Sequence, residues 1–349
     1  MVCLILNSIR DSRHTYYIIA IYYICSPLYL FFLRFLFIYV IIDEAARSNP
    51  LDLLIPMSLG RKIILVGDHK QLPHMVEPEI VNAVVEKTNK EDAKQVLEES
   101  LFMRLFNKVS AADEKARLDV NNPMLVTRTC VLNEQFRMHS AICDLINVFY
   151  QEEHLRPACE VGKVDEFNKK KEHNLSLYNN KPLCWLDVPI NDCYPMETGG
   201  ISKSRPCEVE IIKQELNKIL SLNSEFTIGI ITFYSKQAAL IKNMIENEFP
   251  SEMHRVSVGT VDAFQGKEFD IVFLSAVRAN NEQEMKRRVG FLNNNNRLCV
   301  AFSRAKRLLI AVGDSQTVAQ NGDEAIIEPL KELLDRCKQG EVGYYENSR

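Results

Sequence analysis

The chain has 349 residues and ten cysteines, yet it contains no Cys-x-x-Cys pair. The spacing of a zinc knuckle is therefore absent, and free thiols in a reducing compartment are expected. Neither sign of charge dominates, because 42 Lys and Arg residues stand against 46 Asp and Glu residues, for a net charge of −4. This balance excludes a protein that is basic over its whole surface, but it leaves room for a local stripe of cations.

Glycine and lysine are missing from the start of the chain, where Gly60 is the first glycine and Lys62 is the first lysine. Residues 16–42 carry one charge, Arg34, and consist almost entirely of Ile, Tyr, Leu and Phe. A composition limited to so few residue types is typical of translated AT-rich non-coding DNA. A gene-model artefact over residues 1–36 is therefore the favoured interpretation. The alternatives are a membrane or signal-anchor segment, since about 20 apolar residues span a bilayer, and a buried native helix.

Beyond residue 36, short apolar runs alternate with helical patterns, which predicts an α/β fold with parallel sheets covered on both faces. Functional residues are then expected at the carboxyl ends of the strands. The predicted strands are Phe37–Ile42, Arg61–Val66, Phe226–Ile231, Val256–Val261, Asp270–Val277 and, as the last one, Leu308–Val312. The predicted helices are Ala141–Tyr150, one capped by Ser204, one capped by Ser235, and one through Ile326–Leu334. Glu79–Val120 and Val161–Asn180 are predicted to be insertions or linkers, the first of them helix-prone.

Five short segments carry chemistry, and the first two each follow an apolar strand. Ile41–Ala46 (IIDEAA) delivers two adjacent carboxylates, of which one can hold a magnesium ion and the next can orient an attacking water. Gly67–Pro73 (GDHKQLP) supplies a glutamine that can form a hydrogen bond with a phosphate. The glycine and proline of this segment equally favour a simple polar turn.

The other three segments lie further along the chain. Glu134–His139 (EQFRMH) places an arginine just before a helix, where its planar fork can clamp an oxyanion. Thr260–Asp270 (TVDAFQGKEFD) combines a hydroxyl, carboxylates, an amide and a tight glycine between two strands. Asn295–Asp314 (NNRLCVAFSRAKRLLIAVGD) contains a basic group that, taken alone, would be a solvated face.

In this order, the five segments resemble motifs II to VI of superfamily 1 helicases, in the subgroup of the nonsense-mediated-decay helicase and its DNA-replication relatives. The resemblance covers Phe37–Asp314 and implies two RecA-like domains with ATP at their cleft and a single strand of DNA or RNA across both. It also implies translocation from 5′ to 3′, and an intracellular protein of the cytoplasm or nucleus unless residues 16–42 are a genuine membrane segment. The expected division is an apolar segment 1–36, a partial first domain 37–132, a second domain 133–314, and a C-terminal helix and tail 315–349.

The resemblance assigns roles to individual residues. Asp43 would bind Mg²⁺, Glu44 would be the catalytic base, and Gln71 would contact the γ-phosphate of ATP with support from Asp68. Arg137 and Arg304 would be the arginines that the second domain supplies to the same phosphate. Gly266 and Glu268 would bind the nucleotide, Glu268 through the ribose, and Thr260 and His139 would lie near the nucleic-acid backbone.

The family pattern also has a glycine-rich phosphate loop that ends in Gly-Lys-Ser/Thr before the paired carboxylates. The printed sequence has no such loop before Asp43, and Gly266-Lys267 is followed by Glu268. Ala46-Arg47 departs less sharply from the family, which usually has a small hydroxyl residue there. Two hypotheses follow: the carboxy-terminal part of an active helicase whose loop lies on an upstream polypeptide segment, or a non-enzymatic module that grips nucleic acid. A membrane-anchored form of either is a third.

Overall fold

The computed structural model describes residues 2–5, 19–22, 37–72, 100–118, 128–222, 225–322 and 324–347. The chain divides into two compact units, Met1–Val131 and Leu132–Arg349. Most of the apolar segment 1–36, residues 79–99 and 119–120 of the predicted insertion, and Pro73 of the GDHKQLP segment lie outside the described residues. Where the structure describes the chain, it holds no helix long and apolar enough to cross a membrane.

The described residues of the first unit include two pairs of strands. Strands β1 (Val2–Ile5) and β2 (Ile19–Tyr22) pair antiparallel. Strand β3 (Phe37–Ile42) and strand β4 (Gly60–Leu65) pair in parallel, with helix α1 (Pro50–Ser58) between them in sequence. Helix α2 (Leu101–Arg117) follows and confirms the helix-prone character of that part of the predicted insertion. Buried side chains of β3, the 3₁₀ turn Ala45–Arg47, α1 and α2 form a small core: Val40, Ile42, Ala45, Ala46, Leu53 and Phe102.

The local sequence explains where α1 begins. The Asn49 side chain accepts a hydrogen bond from the backbone N–H of Asp52 at 3.0 Å, which satisfies one of the free donors of the first turn. Pro50 takes the first helical position, where its missing N–H costs nothing. The helix therefore starts immediately after β3 and its turn, and it returns the chain to β4 in parallel register.

The elements of the second unit are, in chain order, β5 (Glu134–Gln135), α3 (Ser140–Ile146), β6 (Arg156–Pro157), α4 (Val164–Lys169), β7 (Leu183–Asp187), α5 (Pro206–Leu222), β8 (Ile228–Thr232), α6 (Ser235–Glu248), β9 (Val256–Thr260), β10 (Phe269–Ser275), α7 (Met285–Val289), α8 (Asn295–Ser303), β11 (Ala305–Gly313), α9 (Ser315–Val318), β12 (Gln320–Asn321), β13 (Glu324–Ala325), α10 (Glu328–Gln339) and β14 (Gly343–Asn347). Six of the strands form one sheet in the order β14-β7-β11-β10-β8-β9, and every pair in it is parallel. The predicted α/β fold with a parallel sheet is thereby confirmed.

Strand β10 shows how the sheet is buried. Ile271 and Phe273 belong to a core cluster with apolar residues of α5 and α6. Val272 and Leu274, which point to the opposite face, are also fully buried. Because both faces are covered, the strand is a continuous apolar run rather than an alternating one.

Two strands of the sheet were not predicted, and the prediction that Leu308–Val312 is the last strand was wrong. Strand β7 (LCWLD) is fully buried and as long as β8 and β9, so its omission has no local explanation, whereas β14 (GYYEN) is polar and carries no strong pattern of its own. Tertiary contacts hold β14 in place: it pairs with β7, the ring of Tyr344 packs edge-on against Tyr178 at 6.0 Å, and the Tyr345 hydroxyl donates to Asp187 at 2.8 Å. The sheet therefore extends past Asp314, where the second domain had been expected to end.

Two predicted helix caps were also wrong. Helix α6 begins at Ser235 itself, and Tyr234 takes the N-cap position; the Ser235 hydroxyl lies 3.0 Å from that of Ser202. Ser204 lies two residues before α5 and pairs through its backbone with Thr198. In both places a contact with a neighbouring loop replaces the local cap.

Candidate functional site

The carboxylates of the first unit lie at one edge of its parallel strand pair. Ile42 is in register with Leu65, so Asp43 and Asp68 follow the carboxyl ends of adjacent strands, as the sequence predicted. The two turns are also joined by backbone hydrogen bonds: Val66 N–H donates to Ile42 O at 2.8 Å, and Ala45 N–H donates to Val66 O at 2.9 Å. The IIDEAA and GDHKQLP segments therefore form one continuous turn region.

Gly67 is required by this close approach. A Cβ atom at this position would lie 2.8 Å from the backbone nitrogen of Ala46, which is too close for any residue with a side chain. The glycine of GDHKQLP thus lets the second turn pack directly on the buried Ala45-Ala46 pair of the first.

Asp68 organises its own turn. One carboxylate oxygen accepts the backbone N–H of Lys70 at 2.9 Å, and the other accepts the side-chain amide of Gln71 at 2.8 Å. The structure therefore brings Asp68 and Gln71 into direct contact. Asp43 and Glu44 are both exposed, and Asp43 accepts the backbone N–H of Glu44 at 2.8 Å.

Glu44 has a left-handed backbone, with φ of 53°. Residues other than glycine adopt this conformation at a cost of about 1–3 kcal/mol, and such positions are frequent at functional sites. Here the conformation turns the chain sharply from β3 into the short 3₁₀ turn Ala45–Arg47, and both carboxylates stay at the carboxyl end of the strand.

In the second unit the structure brings Arg137 and Glu268 together. Arg137 Nε lies 2.8 Å from Glu268 Oε2, and its NH1 donates to the Ser303 carbonyl at 3.2 Å. Lys306 lies 3.6 Å from the other Glu268 oxygen. Partial burial raises the pKa of Glu268, but the Arg137 hydrogen bond and the two nearby cations outweigh it, so the pKa lies below its ordinary value.

Arg304 is 1% exposed, which its position in a basic segment did not predict. Its guanidinium donates to the carbonyls of Val300 and Lys267, at 3.0 Å each, and to the Ser303 hydroxyl at 2.7 Å. These bonds tie the end of α8 to the turn that precedes β10. In this arrangement Arg304 holds the Lys267-Glu268 turn in place, whereas Arg137, with a side chain that is 33% exposed, faces solvent.

Two further predicted residues, Thr260 and Gly266, lie between the end of β9 and the start of β10. Thr260 is the last residue of β9 and is partly buried. Gly266 is exposed and has φ of 80°. Asp262, between them, lies 3.4 Å from Arg297. Thr260 is therefore at the carboxyl edge of the six-stranded sheet.

His139 acts as the N-cap of α3, since its Nδ1 accepts the backbone N–H of Ala141 at 3.1 Å. Burial, followed by the neighbouring His173, lowers the pKa of His139 to about 4. The ring is therefore neutral near pH 7, and it could contact a nucleic-acid backbone only as a neutral hydrogen-bonding group.

The His139 cap should make the protein lose stability on acidification. Between its ordinary pKa of 6.5 and about 4, the unfolded chain binds a proton that the folded chain does not, so the free energy of unfolding falls as pH falls through this window. Asn is also a good N-cap, so His139→Asn should keep stability near pH 7 and reduce the loss between pH 6.5 and 4. Urea unfolding across this range measures the effect.

The matched control is His254→Asn, because His254 is exposed and bonds only locally to the Ser251 carbonyl. This variant should retain the full loss of stability on acidification. If His139→Asn and His254→Asn lose the same free energy between pH 6.5 and 4, the buried cap is not the source of the pH dependence.

A pocket of about 820 Å³ lies in the second unit, and no site residue had been predicted there. Its lining includes two aromatic rings, Tyr234 and Phe291, which lie 5.4 Å apart. Its cationic lining residues are Lys203, Arg278, Lys286 and Arg287. Sequence reasoning missed the pocket because these residues are spread over the loop before α5, the N-cap of α6, the segment after β10, helix α7 and the turn after it. Arg278–Asn280 directly follow the predicted strand Asp270–Val277 and could have marked it.

Gly290 shapes one wall of this pocket. Its φ is 55°, and a Cβ atom there would lie 2.5 Å from the Tyr234 hydroxyl. The Tyr234 hydroxyl in turn accepts the backbone N–H of Phe291 at 3.3 Å. The glycine therefore allows the loop to close against Tyr234 and leaves the Phe291 ring 45% exposed.

Comparison with known proteins supports one family. A family model described as an AAA domain (AAA_12) matches residues 97–316, more than half of the chain, and another with the same description (AAA_11) matches residues 28–78. The regulator of nonsense transcripts 1 homolog of Neurospora crassa is 30% identical over 286 residues, which are 81% of this chain and 23% of that protein.

The DNA polymerase alpha-associated DNA helicase A of Schizosaccharomyces pombe is 30% identical over 288 residues, 80% of this chain and 37% of that protein. The protein of the same name from Saccharomyces cerevisiae is 27% identical over 328 residues, 89% of this chain and 43% of its own length. The chain thus spans less than half of each of these relatives. Among solved structures, the arterivirus nonstructural protein 10 helicase covers 84% of this chain and 40% of its own, at 17% identity and a TM-score of 0.34, a likeness too low to add to the assignment. The matched AAA-domain models and the helicase relatives show that the chain belongs to the superfamily 1 helicases.

Proposed function

We propose that the chain is the carboxy-terminal part of an ATP-dependent helicase that moves along single strands of DNA or RNA, from 5′ to 3′. The observation that carries the proposal is the pairing of two strand ends, which places Asp43, Glu44, Asp68 and Gln71 in one hydrogen-bonded turn region. Carboxylates and an amide at the carboxyl edge of parallel strands are the groups that nucleotide hydrolysis needs there.

The donor set of the first unit fits Mg²⁺. Asp43 offers an exposed carboxylate, and Asp68 offers a second one at the neighbouring strand end. Among the described residues, no group of three or more His, Cys, Asp or Glu side chains could hold a metal ion. Mg²⁺ usually binds through one or two carboxylates plus water and phosphate oxygens. The ion would supply charge neutralisation for the phosphates, with Asp43 as its protein ligand and Asp68 in support.

The remaining residues act on ATP through position and charge. Glu44 would accept the proton of the attacking water, and Gln71, oriented by Asp68, would donate to the γ-phosphate. Arg137 would stabilise the negative charge that develops on that phosphate, while Glu268 would accept hydrogen bonds from the ribose hydroxyls. Arg304, as the resemblance implies, belongs to the same set, and its contacts support the turn that carries Glu268.

The pocket of the second unit supports strand binding. Single-stranded nucleic acid is typically held by cations along its backbone and by aromatic rings on which bases stack. The pocket offers both, with Lys203, Lys286 and Arg287 beside the exposed Phe291 ring. Strand binding at this pocket would require neither Mg²⁺ nor ATP.

One observation favours a second candidate function, a non-enzymatic module that grips single strands. No Gly-Lys-Ser/Thr sequence, which ends a phosphate loop, occurs anywhere in the 349 residues. The two candidates differ in whether an upstream polypeptide segment supplies this loop, and both require that the chain bind a strand.

Binding of fluorescently labelled oligo(dT) and oligo(U) by the full chain, followed by anisotropy, tests the proposal. The chain should bind both strands, and Lys203→Ala/Lys286→Ala should lower the slope of log affinity against log salt by about 0.7 for each cation that contacts phosphate. Lys213→Ala, which removes a surface lysine paired with Glu248, is the control and should change nothing. An unchanged salt slope in the double variant would exclude the pocket as the strand site.

A further inference from the structure

Strand β10 ends in an unfavourable backbone conformation at Val277. Its φ is 69°, in the left-handed region, and the residue is fully buried. A β-branched residue rarely adopts this conformation, because its Cβ branches crowd the backbone. Strain of this kind persists only where surrounding groups hold it.

Two contacts hold Val277. The Arg278 N–H donates to the Ala276 carbonyl across it at 2.8 Å, and the second contact comes from the carboxylate of Glu208, a fully buried residue in the first turn of α5. The backbone N–H of Val277 donates to both Glu208 oxygens, at 3.1 and 2.9 Å. The Ser275 hydroxyl donates to Glu208 at 2.7 Å. A helix terminus on one side of the sheet thus fixes the backbone on which β10 ends.

The residues after Val277 form a wall of the 820 Å³ pocket. Arg278 pairs with the buried Glu197 at 3.1 Å and donates through Nε to the Arg288 carbonyl at 2.9 Å. The backbone N–H of Ala279 donates to Glu197 at 2.6 Å, and the Asn280 side chain donates to the Arg288 carbonyl at 2.9 Å. The direction in which the chain leaves Val277 therefore decides where this wall stands.

We propose that Glu208 is a positioning residue for strand binding: its carboxylate holds Val277 in the left-handed conformation and thereby sets the wall of the pocket formed by Arg278–Asn280. The inference rests on the proposed function in one respect, that the ligand of the pocket is a single strand. Glu208 itself is fully buried and would not touch that strand.

A simpler role for Glu208 is to neutralise the buried charge of Arg205. That contact is the longest of the set, at 3.5 Å, while the bonds to Val277 and Ser275 are 2.7–3.1 Å. Arg205 also donates to the backbone carbonyls of Pro195 and Tyr194. The two roles predict different behaviour of variants at position 277, because only the positioning role depends on the cost of a left-handed backbone.

Strand binding by a set of variants separates the two roles. Glu208→Ala should weaken binding of oligo(dT) by about tenfold, since the left-handed conformation loses its support. Adding Val277→Gly should restore most of the affinity, because glycine adopts this conformation freely. Adding Val277→Ala should not, because alanine keeps the Cβ that makes the conformation costly. Glu208→Gln, which keeps an acceptor for Val277 N–H, should stay within about threefold of the wild type, and exposed Glu210→Ala is the control for α5.

A second measurement does not depend on strand binding. Trypsin should cleave after Arg278, which is 4% exposed in the pocket wall, faster in Glu208→Ala than in the wild type. Cleavage after Arg287, whose side chain is 72% exposed, is the internal reference. Adding Val277→Gly to Glu208→Ala should slow cleavage after Arg278 again, and adding Val277→Ala should not. If Glu208→Ala alone does not fold, the yield of soluble protein replaces the cleavage rate as the readout. Glu208→Ala/Val277→Gly should then be soluble, and Glu208→Ala/Val277→Ala should not.

The proposal is overturned if Val277→Gly and Val277→Ala have the same effect on strand affinity and on cleavage in the Glu208→Ala background. It is also overturned if Glu208→Gln loses as much strand affinity as Glu208→Ala. Either result would leave charge pairing with Arg205 as the role of Glu208. A wild-type chain that binds no strand, while the trypsin pattern follows the expected order, would reject the proposed function and leave the positioning of the pocket wall intact.

Discussion

Arg137→Ala should lower single-strand-stimulated ATP hydrolysis by about 10³-fold or more, measured in a protein completed with a phosphate-binding loop, and should leave the thermal midpoint unchanged. The rate falls because the arginine would stabilise charge that develops on the transferred phosphate. Stability is spared because the side chain is 33% exposed and its ion pair with Glu268 lies at the surface, where such pairs contribute little. Steady-state phosphate release and thermal unfolding measure the two effects.

Arg304→Ala should behave differently, although the resemblance gives both arginines the same role. Its guanidinium is buried and bonds to the end of α8 and to the Lys267 carbonyl, so truncation should lower the thermal midpoint as well as the rate. Arg156→Ala removes a side chain that is 64% exposed and pairs with Glu134 on the surface, and as a control it should change neither quantity. A wild-type rate in Arg137→Ala would overturn the assignment of the EQFRMH segment.

The second large effect concerns the phosphate loop. The 349-residue chain alone should hydrolyse ATP negligibly, because the carboxylates and arginines can stabilise a transition state only when the phosphates are already held. Supplying the upstream coding segment with a Gly-x-x-x-x-Gly-Lys-Ser/Thr sequence should restore strand-stimulated hydrolysis. An arginine contact in this chemistry is worth about 10³-fold or more, and the arginines act only on phosphates that the loop holds, so a phosphate-release assay should resolve the difference.

Glu44→Gln in the completed protein should stop hydrolysis while ATP remains bound, because the amide cannot accept the proton of the attacking water. Glu114→Gln, a change at an exposed position near the C-terminal end of helix α2, is the matched control and should leave turnover unchanged. Robust hydrolysis by the chain alone would refute the need for the loop, and it would support neither candidate function in its present form.

Much of the sheet could be predicted from the sequence, for a physical reason. Strands β8 and β10 have apolar centres, Ile228–Ile231 and Ile271–Leu274, because both of their faces are buried, so each carries a local signal. Strand β14 has no apolar run of its own, and its pairing with β7 and the contacts of Tyr344 with Tyr178 and of Tyr345 with Asp187 hold it at the edge of the sheet. These partners are distant in sequence, so the local pattern does not record them.

The same distinction applies to the candidate site. The sequence of the motifs by itself determined which side chains come after which strands. Because parallel strands end at a common edge, Asp43 and Asp68 were expected in neighbouring turns. Burial and side-chain partners were decided only by the tertiary structure. It buries Arg304, makes His139 a neutral helix cap, and builds the pocket wall on a Glu208 contact 69 residues away from Val277. These features depend on long-range packing and charge pairing, which local periodicity does not record.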